Sequence, residues 1–291
     1  MTESTQPLPT ALSNTSPDFP HHTWLSRDVL TLTRDDQQVA MLTLHAPPAN
    51  EISTTVLAAL EEVVALLSAE PPRALVIASA NPSAFSAGAD LRELHRELEH
   101  HLAEGLTIEE GQARVSAAID RLHAVMDALD VAPFPTVAAI HGVCMGGGFE
   151  LALTCDLRVC DKSARFAFPE LRLGLVPGWG GTARLARECG QAILRDLLMT
   201  GRTIGAARAF ELGLVQSPVA RGEATMTALR MARQAAHFAP QAMRAAKALT
   251  KALPDGALAR EKATFVALFA HPTVREALSR FATSTDVRPY L

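Results

Sequence analysis

Glu150 and Glu170 are the residues of this 291-residue chain best placed to move protons. Glu150 follows Gly147 by three residues, just after the run His141-Gly142-Val143-Cys144-Met145-Gly146-Gly147-Gly148-Phe149. Residues 136–140 before this run read as a buried strand and residues 149–154 as a helix, so three consecutive glycines lie at a strand-to-helix junction. Backbone N–H groups at a helix start lack intrahelical partners and carry the positive end of the helix dipole. A second turn of small residues, Ser86-Ala87-Gly88-Ala89-Asp90, also leads from a strand toward a helix. Two N–H donors converging from two such turns meet the requirement of an oxyanion hole. Glu150, one helical turn from Gly147, would lie beside it. Glu170, after Phe166-Ala167-Phe168-Pro169, would bring a second carboxylate from a loop. Two carboxylates at one oxyanion hole suit the proton transfers on either side of an enolate. Taken singly, each feature has a plain structural alternative: a tight turn, a first-turn acid stabilising a dipole, a solvated loop charge.

These groups need elements to hold them. Residues 29–33 and 39–44 read as two strands joined by the polar turn 34–38. Pro47-Pro48-Ala49-Asn50 breaks the second strand, and Ser53 or Thr54 then caps a helix to about residue 68, with Leu57, Leu60, Val64 and Leu67 on one face. Residues 74–79 are a short apolar strand and 81–90 a loop. Helices are expected over 91–102 and 110–129, separated by Gly105 and stopped before Pro133 and Pro135. Short strands follow at 157–160 and 165–168, then a loop at 174–181, with 215–219 as the last strand. Helices are expected at 182–188, 191–198, 206–212, 223–237, 240–253, 258–269 and 273–281. The chain thus divides into a disordered leader, 1–24, whose composition buries too little surface to order itself, a mixed α/β core, 25–220, and a helical C-terminal module, 221–291.

Composition excludes several classes. Lys+Arg 27 against Asp+Glu 31 gives a net charge of −4, and no basic block offers a footprint for nucleic acid or an anionic membrane. No apolar run reaches the length of a membrane-spanning helix. The four cysteines, Cys144, Cys155, Cys160 and Cys189, form no C-x-x-C pair, and without a secretory segment the expected setting is a reducing cytoplasm. His100-His101 has no defensible third ligand, so no metal site is expected.

Several motifs, in order, resemble the enoyl-CoA hydratase/isomerase (crotonase) superfamily. They are Pro48-Ala49-Asn50, Ala84-Phe85-Ser86-Ala87-Gly88-Ala89-Asp90, the stretch from Pro135 to Gly142, and Gly146-Gly147-Gly148-Phe149-Glu150-Leu151. Phe168-Pro169-Glu170, Gly174-Leu175-Val176-Pro177-Gly178 and Gly180-Gly181-Thr182 complete the set, so the likeness runs from about residue 28 to 281. The resemblance implies a spiral of ββα turns with C-terminal helices that pack a homotrimer, often a dimer of trimers. It implies an acyl-CoA thioester substrate whose carbonyl oxygen is bonded by the N–H groups of Ala89 and Gly147. Glu150 and Glu170 match the family's two hydratase glutamates, which hold a water between them. One takes its proton as it attacks C3, and the other delivers a proton to C2. Gly178 matches the glycine whose N–H helps position that water. Ala87, Ala89, Asp90, Leu91 and Arg92 fall where the thioester and its CoA arm are held. The implied activity is an enoyl-CoA hydratase or dehydratase of fatty-acid or polyketide metabolism, needing no cofactor beyond its substrate.

The chain departs from the family in three places. Between Asp90 and Phe134 it is longer, in a helical, charged stretch that reads either as a solvated insertion or as a modified lid over the acyl tail. The basic cluster expected beyond the last helix is replaced by Ala282-Thr283-Ser284-Thr285, so Arg92, Arg280 or Arg288 would have to meet the CoA phosphates, or the acyl group arrives on a carrier protein's phosphopantetheine arm. Trp179 places an indole in the 178–181 loop, able to shape an acyl chain or simply to pack. Within the fold, an enoyl isomerase, a decarboxylase, a thioester hydrolase or a non-catalytic binding protein stay open. From another class, Gly142-Val143-Cys144-Met145-Gly146 fits a G-x-C-x-G nucleophile elbow, with Cys144 as nucleophile of an α/β-hydrolase and His237 or His271 downstream.

Overall fold

The computed structural model describes residues 21–284. The chain opens on an antiparallel meander, β1 (His21–Arg27), β2 (Leu30–Asp35) and β3 (Val39–Leu44), followed by the short β4 (Glu51–Ile52). Ser53 caps α1 (Thr54–Ala69), its side chain accepting from the Val56 N–H. Val56, Leu57, Leu60, Val63 and Leu67 form the buried stripe that seats this helix. Then come β5 (Ala74–Ser79), β6 (Ala84–Ser86), β7 (Gly88–Ala89) and two helices, α2 (Leu91–Ala103) and α3 (Ile108–Asp130). The second is started by a capping box between Thr107 and Glu110. Next are β8 (Thr136–Ile140), β9 (Val143–Met145), α4 (Gly147–Thr154), β10 (Leu157–Cys160), β11 (Arg165–Ala167) and a 3-10 turn over Glu170–Leu173. The remainder is α5 (Gly181–Cys189), α6 (Gln191–Thr200), β12 (Ile204–Gly205), α7 (Ala206–Glu211), α8 (Ala224–Ala236), α9 (Pro240–Thr250), α10 (Ala257–Phe269) and α11 (Pro272–Thr283).

The strands sort into two main sheets by a simple rule. In the pairs β5/β6, β8/β9 and β10/β11, the first strand joins a six-stranded sheet of order β1-β2-β3-β5-β8-β10. The second joins a four-stranded sheet of order β12-β11-β9-β6. Each pair is then followed by helix or helical turn, and the chain winds as a ββα spiral. From β3 to β10 the large sheet is parallel, and its β5, β8 and β10 are almost wholly buried. One face packs on α1 and α4. The other receives α8, whose Ala224, Ala228 and Ala232 let the helix lie close over Val76, Val137 and Val159.

Behind α4, charged residues replace apolar packing. Asp130 at the end of α3 accepts from Lys251 Nζ (2.7 Å), Arg187 (2.9 Å) and Arg184 Nε (3.1 Å), all nearly buried. This cluster ties α3 and α5 to the end of α9. The cations hold the Asp130 carboxyl down at about 2 against the opposing pull of its own burial.

Three expectations about the elements need correction. The first strand begins at His21, so residues 21–24 belong to the sheet rather than to a leader; Arg34 stacks 3.7 Å over the Trp24 ring, and β1 pairs with β2 on both sides of a bulge at Trp24. Residues 1–20 lie outside the described residues. Residues 215–219 are not a strand. Only Val219 bridges, to Asp161, because Pro218 has no N–H to give a ladder. The last strand is instead Ile204–Gly205. The loop expected at 81–90 contains β6 and β7.

Candidate active site

The two glycine-bearing turns meet. β6 and β9 are parallel neighbours, so the chain leaving each reaches the same end of the small sheet. Gly88 has φ +92°, and a Cβ there would lie 2.8 Å from Met145 O and 2.9 Å from the Gly147 nitrogen. Only a glycine permits that approach. A Cβ at Gly148 would lie 2.7 Å from the Ser86 side chain, so the second turn needs glycine for the same reason. Asn50 secures the first turn from below: its Nδ2 donates to Ser79 Oγ (2.7 Å) and Phe85 O (2.9 Å), while Ser86 Oγ donates to Asn50 O (2.7 Å). Asp90 N–H donates to Ile52 O (3.3 Å) across β4 and β7. Successive N–H groups of a strand point opposite ways, so the Ala89 N–H faces away from β4. Gly147, the first residue of α4, has an N–H that the helix cannot pair. Ala89 and Gly147 both line one cavity of about 480 Å³.

The same cavity is lined by Glu150, Glu170 and Gly178. The structure thus brings together all five residues singled out as catalytic candidates. Glu150 is 1 % exposed. Its Oε1 accepts from Trp179 N–H (2.8 Å) and Gly181 N–H (2.8 Å). Burial pushes its carboxyl well above the usual range, the nearby Glu261 and Glu170 charges add to this, and the two N–H bonds pull the other way. Glu170 opens the 3-10 turn beside the first turn of α4; a Cβ on Gly146 would stand 2.9 Å from its Oε1. Its Oε2 is buried with no hydrogen-bond partner, and burial pushes this carboxyl up to about 8.

The loop of residues 178–182 is the hinge of the arrangement. Gly180 has φ +94°, which turns consecutive N–H groups to opposite sides. Trp179 and Gly181 donate forward to Glu150, whereas Gly180 and Thr182 donate backward to Glu261 of α10. His123 Nε2 donates to Gly178 O (2.8 Å) from α3. A Cβ on Gly147 would fall inside the Trp179 ring, so the indole forms a wall of the cavity directly against the first turn of α4.

Away from the carboxylates the cavity turns apolar. Leu94 and Leu98 of α2, Val115 and Ile119 of α3, and Phe265 and Phe269 of α10 line it. The long segment between Asp90 and Phe134 therefore covers the cavity, its leucines, valine and isoleucine interleaved with Glu93, Glu97, His100, His101, Arg114 and Arg121. Ion pairs hold the cover: Arg275 of α11 to Glu99 (2.8 Å) and Arg121 to Glu61 of α1 (2.8 Å).

Of the residues expected at the CoA arm, Ala87, Asp90 and Leu91 line the cavity. Asp90 also caps α2, accepting from the Arg92 and Glu93 N–H groups (3.0 and 2.9 Å). Arg92 does not line it; its guanidinium lies 5.1 Å over the Phe281 ring and 3.8 Å from Glu51. Arg280 is exposed on α11, and Arg288 lies outside the described residues. The nucleophile-elbow reading of Cys144 is overturned. The thiol is fully buried, donates to Gly148 O at 3.7 Å, and is pushed far above its ordinary pKa by burial, while His237 and His271 are exposed.

A spiral of ββα turns enclosing paired glutamates and two bare amides, one from a strand and one from a helix start, defines a crotonase-type protein. The sequence profile of the enoyl-CoA hydratase/isomerase family matches residues 34–287, and the chain belongs to that family. It is 38% identical over 184 residues to "Probable enoyl-CoA hydratase 2, mitochondrial" of Arabidopsis thaliana, an alignment covering 63% of this chain and 56% of that protein. It is 34% identical over 259 residues to "Probable enoyl-CoA hydratase echA8" of Mycobacterium tuberculosis, covering 86% of this chain and 93% of the relative. Among solved structures, DspI of Pseudomonas aeruginosa superposes with a TM-score of 0.68 at 31% identity, over 88% of this chain and 99% of that one.

Sequence reasoning missed Glu261 and His123. For Glu261 a signal existed: it shares the 261, 265, 269 stripe with Phe265 and Phe269, and a glutamate inside an apolar stripe calls for a buried partner. For His123 none existed, since its contact is made to a backbone carbonyl 55 residues away.

Proposed function

We propose that the protein hydrates enoyl thioesters, and by microscopic reversal dehydrates the 3-hydroxyacyl products. The observation that carries the reading is that two buried carboxylates, Glu150 and Glu170, face one cavity beside the amides of Ala89 and Gly147. The thioester oxygen accepts both N–H groups. A water sits between the carboxylates, with Gly178 N–H beside it. Two N–H donors on Glu150 Oε1 oppose the upward push of burial and of the neighbouring carboxylates on its carboxyl, whereas Glu170 Oε2 has no donor, so within the pair Glu150 is assigned the base. Glu170, with Oε2 unpartnered and its carboxyl near 8, keeps its proton at neutral pH and is the acid.

The step balances. Glu150 takes a proton from water as the oxygen bonds to C3. The C2=C3 electron pair shifts toward C1 and negative charge collects on the thioester oxygen. Glu170 then gives its proton to C2 and the carbonyl reforms. One oxyanion-hole donor contributes about 10²–10³ in rate and a positioned acid or base about 10²–10⁴.

The apolar stretch between α2, α3 and α10 accepts the acyl chain, and the long helical segment acts as its cover. The substrate arrives on CoA, with Ala87, Asp90 and Leu91 along the arm; delivery by a carrier protein, as in polyketide assembly, is the competing route. The C-terminal helices pack a trimer or a dimer of trimers, and the protein works in the cytoplasm. Among the described residues no helix is long and apolar enough to cross a membrane. The deciding experiment incubates the protein with a panel of enoyl-CoAs and enoyl-carrier proteins and follows loss of the conjugated thioester absorbance. Turnover of the CoA esters supports the reading. Loss of absorbance from none of them overturns it in favour of isomerisation or decarboxylation in the same oxyanion hole.

A further inference from the structure

A third carboxylate stands behind the pair. Glu261 of α10 is 6 % exposed and accepts hydrogen bonds at both oxygens: Gly180 N–H at Oε1, and Thr182 N–H (2.8 Å) with Thr182 Oγ1 at Oε2. Acceptance of N–H groups at both oxygens is the pattern of an ionised carboxylate. The four N–H groups of residues 179–182 thus alternate between two buried glutamates, Glu150 in front and Glu261 behind. Nothing in the hydration steps requires Glu261, which touches no reacting atom.

We propose that Glu261 is a positioning residue for Glu150: by gripping the peptides of residues 180–182 from behind, it fixes the two N–H groups that orient the Glu150 carboxylate and places a third carboxylate at its back. The orientation follows from the alternation. Residues 180 and 182 cannot be anchored without aiming 179 and 181 the other way. Burial pushes the Glu261 carboxyl up while its donors from Thr182 and Gly180 pull it down, and in its ionised form it raises the proton affinity of Glu150 and makes it a stronger base.

The other charged groups around Glu261 are few. Glu150 faces it from α4, Glu170 from the 3-10 turn and His123 from α3. Arg184 of α5 lies against Gly180 and donates to Trp179 O (2.8 Å), and Arg187 and Arg260 line the cavity behind with Glu261. Arg187 is committed to Asp130 and Glu188, and Arg260 donates to Asp255 O (3.1 Å), so neither is bonded to Glu261. His123 holds the front edge of the loop through Gly178 O, on the peptide whose N–H reaches Glu150.

The test reads Glu150 directly in the ligand-free protein, and only its kinetic arm rests on the hydration reading. Infrared titration follows the carboxyl band that disappears in Glu150→Gln. In Glu261→Gln the midpoint of that band moves to lower pH by about one unit, the size expected for removing one like charge in a partly screened interior. The kcat for enoyl-CoA hydration falls about tenfold with KM within threefold. Should Glu261→Gln fail to fold, Thr182→Val serves. It strips one donor from Glu261, favours that carboxyl's neutral form, and moves the Glu150 midpoint the same way by a smaller amount. An unmoved midpoint in the folded variants overturns the proposal while leaving hydration untouched. A moved midpoint in a protein that hydrates no enoyl thioester upholds Glu261 and discards the reaction.

Discussion

The Glu170 proton should govern the alkaline side of the reaction. With its carboxyl near 8, about nine-tenths of the molecules carry the proton at pH 7 and about one-tenth at pH 9. Above pH 8, kcat/KM for hydration should therefore fall toward tenfold for each pH unit, reaching about one-tenth of its neutral value at pH 9. Hydration consumes no proton, so its equilibrium constant is independent of pH. The reverse reaction must then lose kcat/KM along the same curve, even though it begins with the proton on Glu150. The active species is the pair holding one proton, and the midpoint belongs to the pair rather than to either glutamate. Glu170→Gln should remove the alkaline limb and cut kcat by 10²–10⁴, about 3–5 kcal/mol of barrier. The assay is absorbance of the conjugated thioester between pH 6 and 10, run in both directions. A flat profile from pH 7 to 9.5, together with a Glu170→Gln enzyme within tenfold of wild type, would refute the acid role and the reasoning from burial that assigns it.

Three further outcomes follow from the geometry. Gly181→Ala puts a Cβ 2.7 Å from Glu150 Cγ, so steady-state kinetics should show kcat down by about 10² in a protein that still folds. Asp130→Asn leaves Lys251, Arg184 and Arg187 buried around a neutral partner and should cost about 3–5 kcal/mol in denaturant unfolding. In the wild type the low Asp130 value contributes stability that is present above pH 4 and lost as pH falls through 2, about 2 kcal/mol in all. Cys144→Ala should retain activity, and native enzyme treated with iodoacetamide should show no label at Cys144 by mass spectrometry, because the thiol is both buried and protonated.

Local patterns carried much of this architecture. The stretches 74–79, 136–140 and 157–160 are apolar runs of strand length, and each is a strand of the large sheet. The glycines at 88, 146, 147 and 148 mark where two turns approach, and their types alone point to bare amides. What escaped depends on the third dimension. Residues 84–86 and 143–145 read as loop and turn because three residues are too few for periodicity to show, and their pairing across the spiral makes them strands. Residues 215–219 carry β-branched residues that suggest a strand, and one proline undoes it. The hold of His123 on Gly178 joins segments 55 residues apart through a main-chain oxygen, which leaves no mark in side-chain order, whereas Glu261 shows only as a glutamate within the apolar 261, 265, 269 stripe.

Ala89, Gly147 and Glu170 follow β6, β9 and β11, three adjacent strands of one small sheet. Their separations are therefore set by the rungs of a hydrogen-bonded ladder and not by the lengths of loops. Evolution can exchange what stands on the outermost rung, acid for amide or hydroxyl, while the neighbouring rungs keep their bare amides. A scaffold of this kind invites new chemistries by single replacements at one step of the stair.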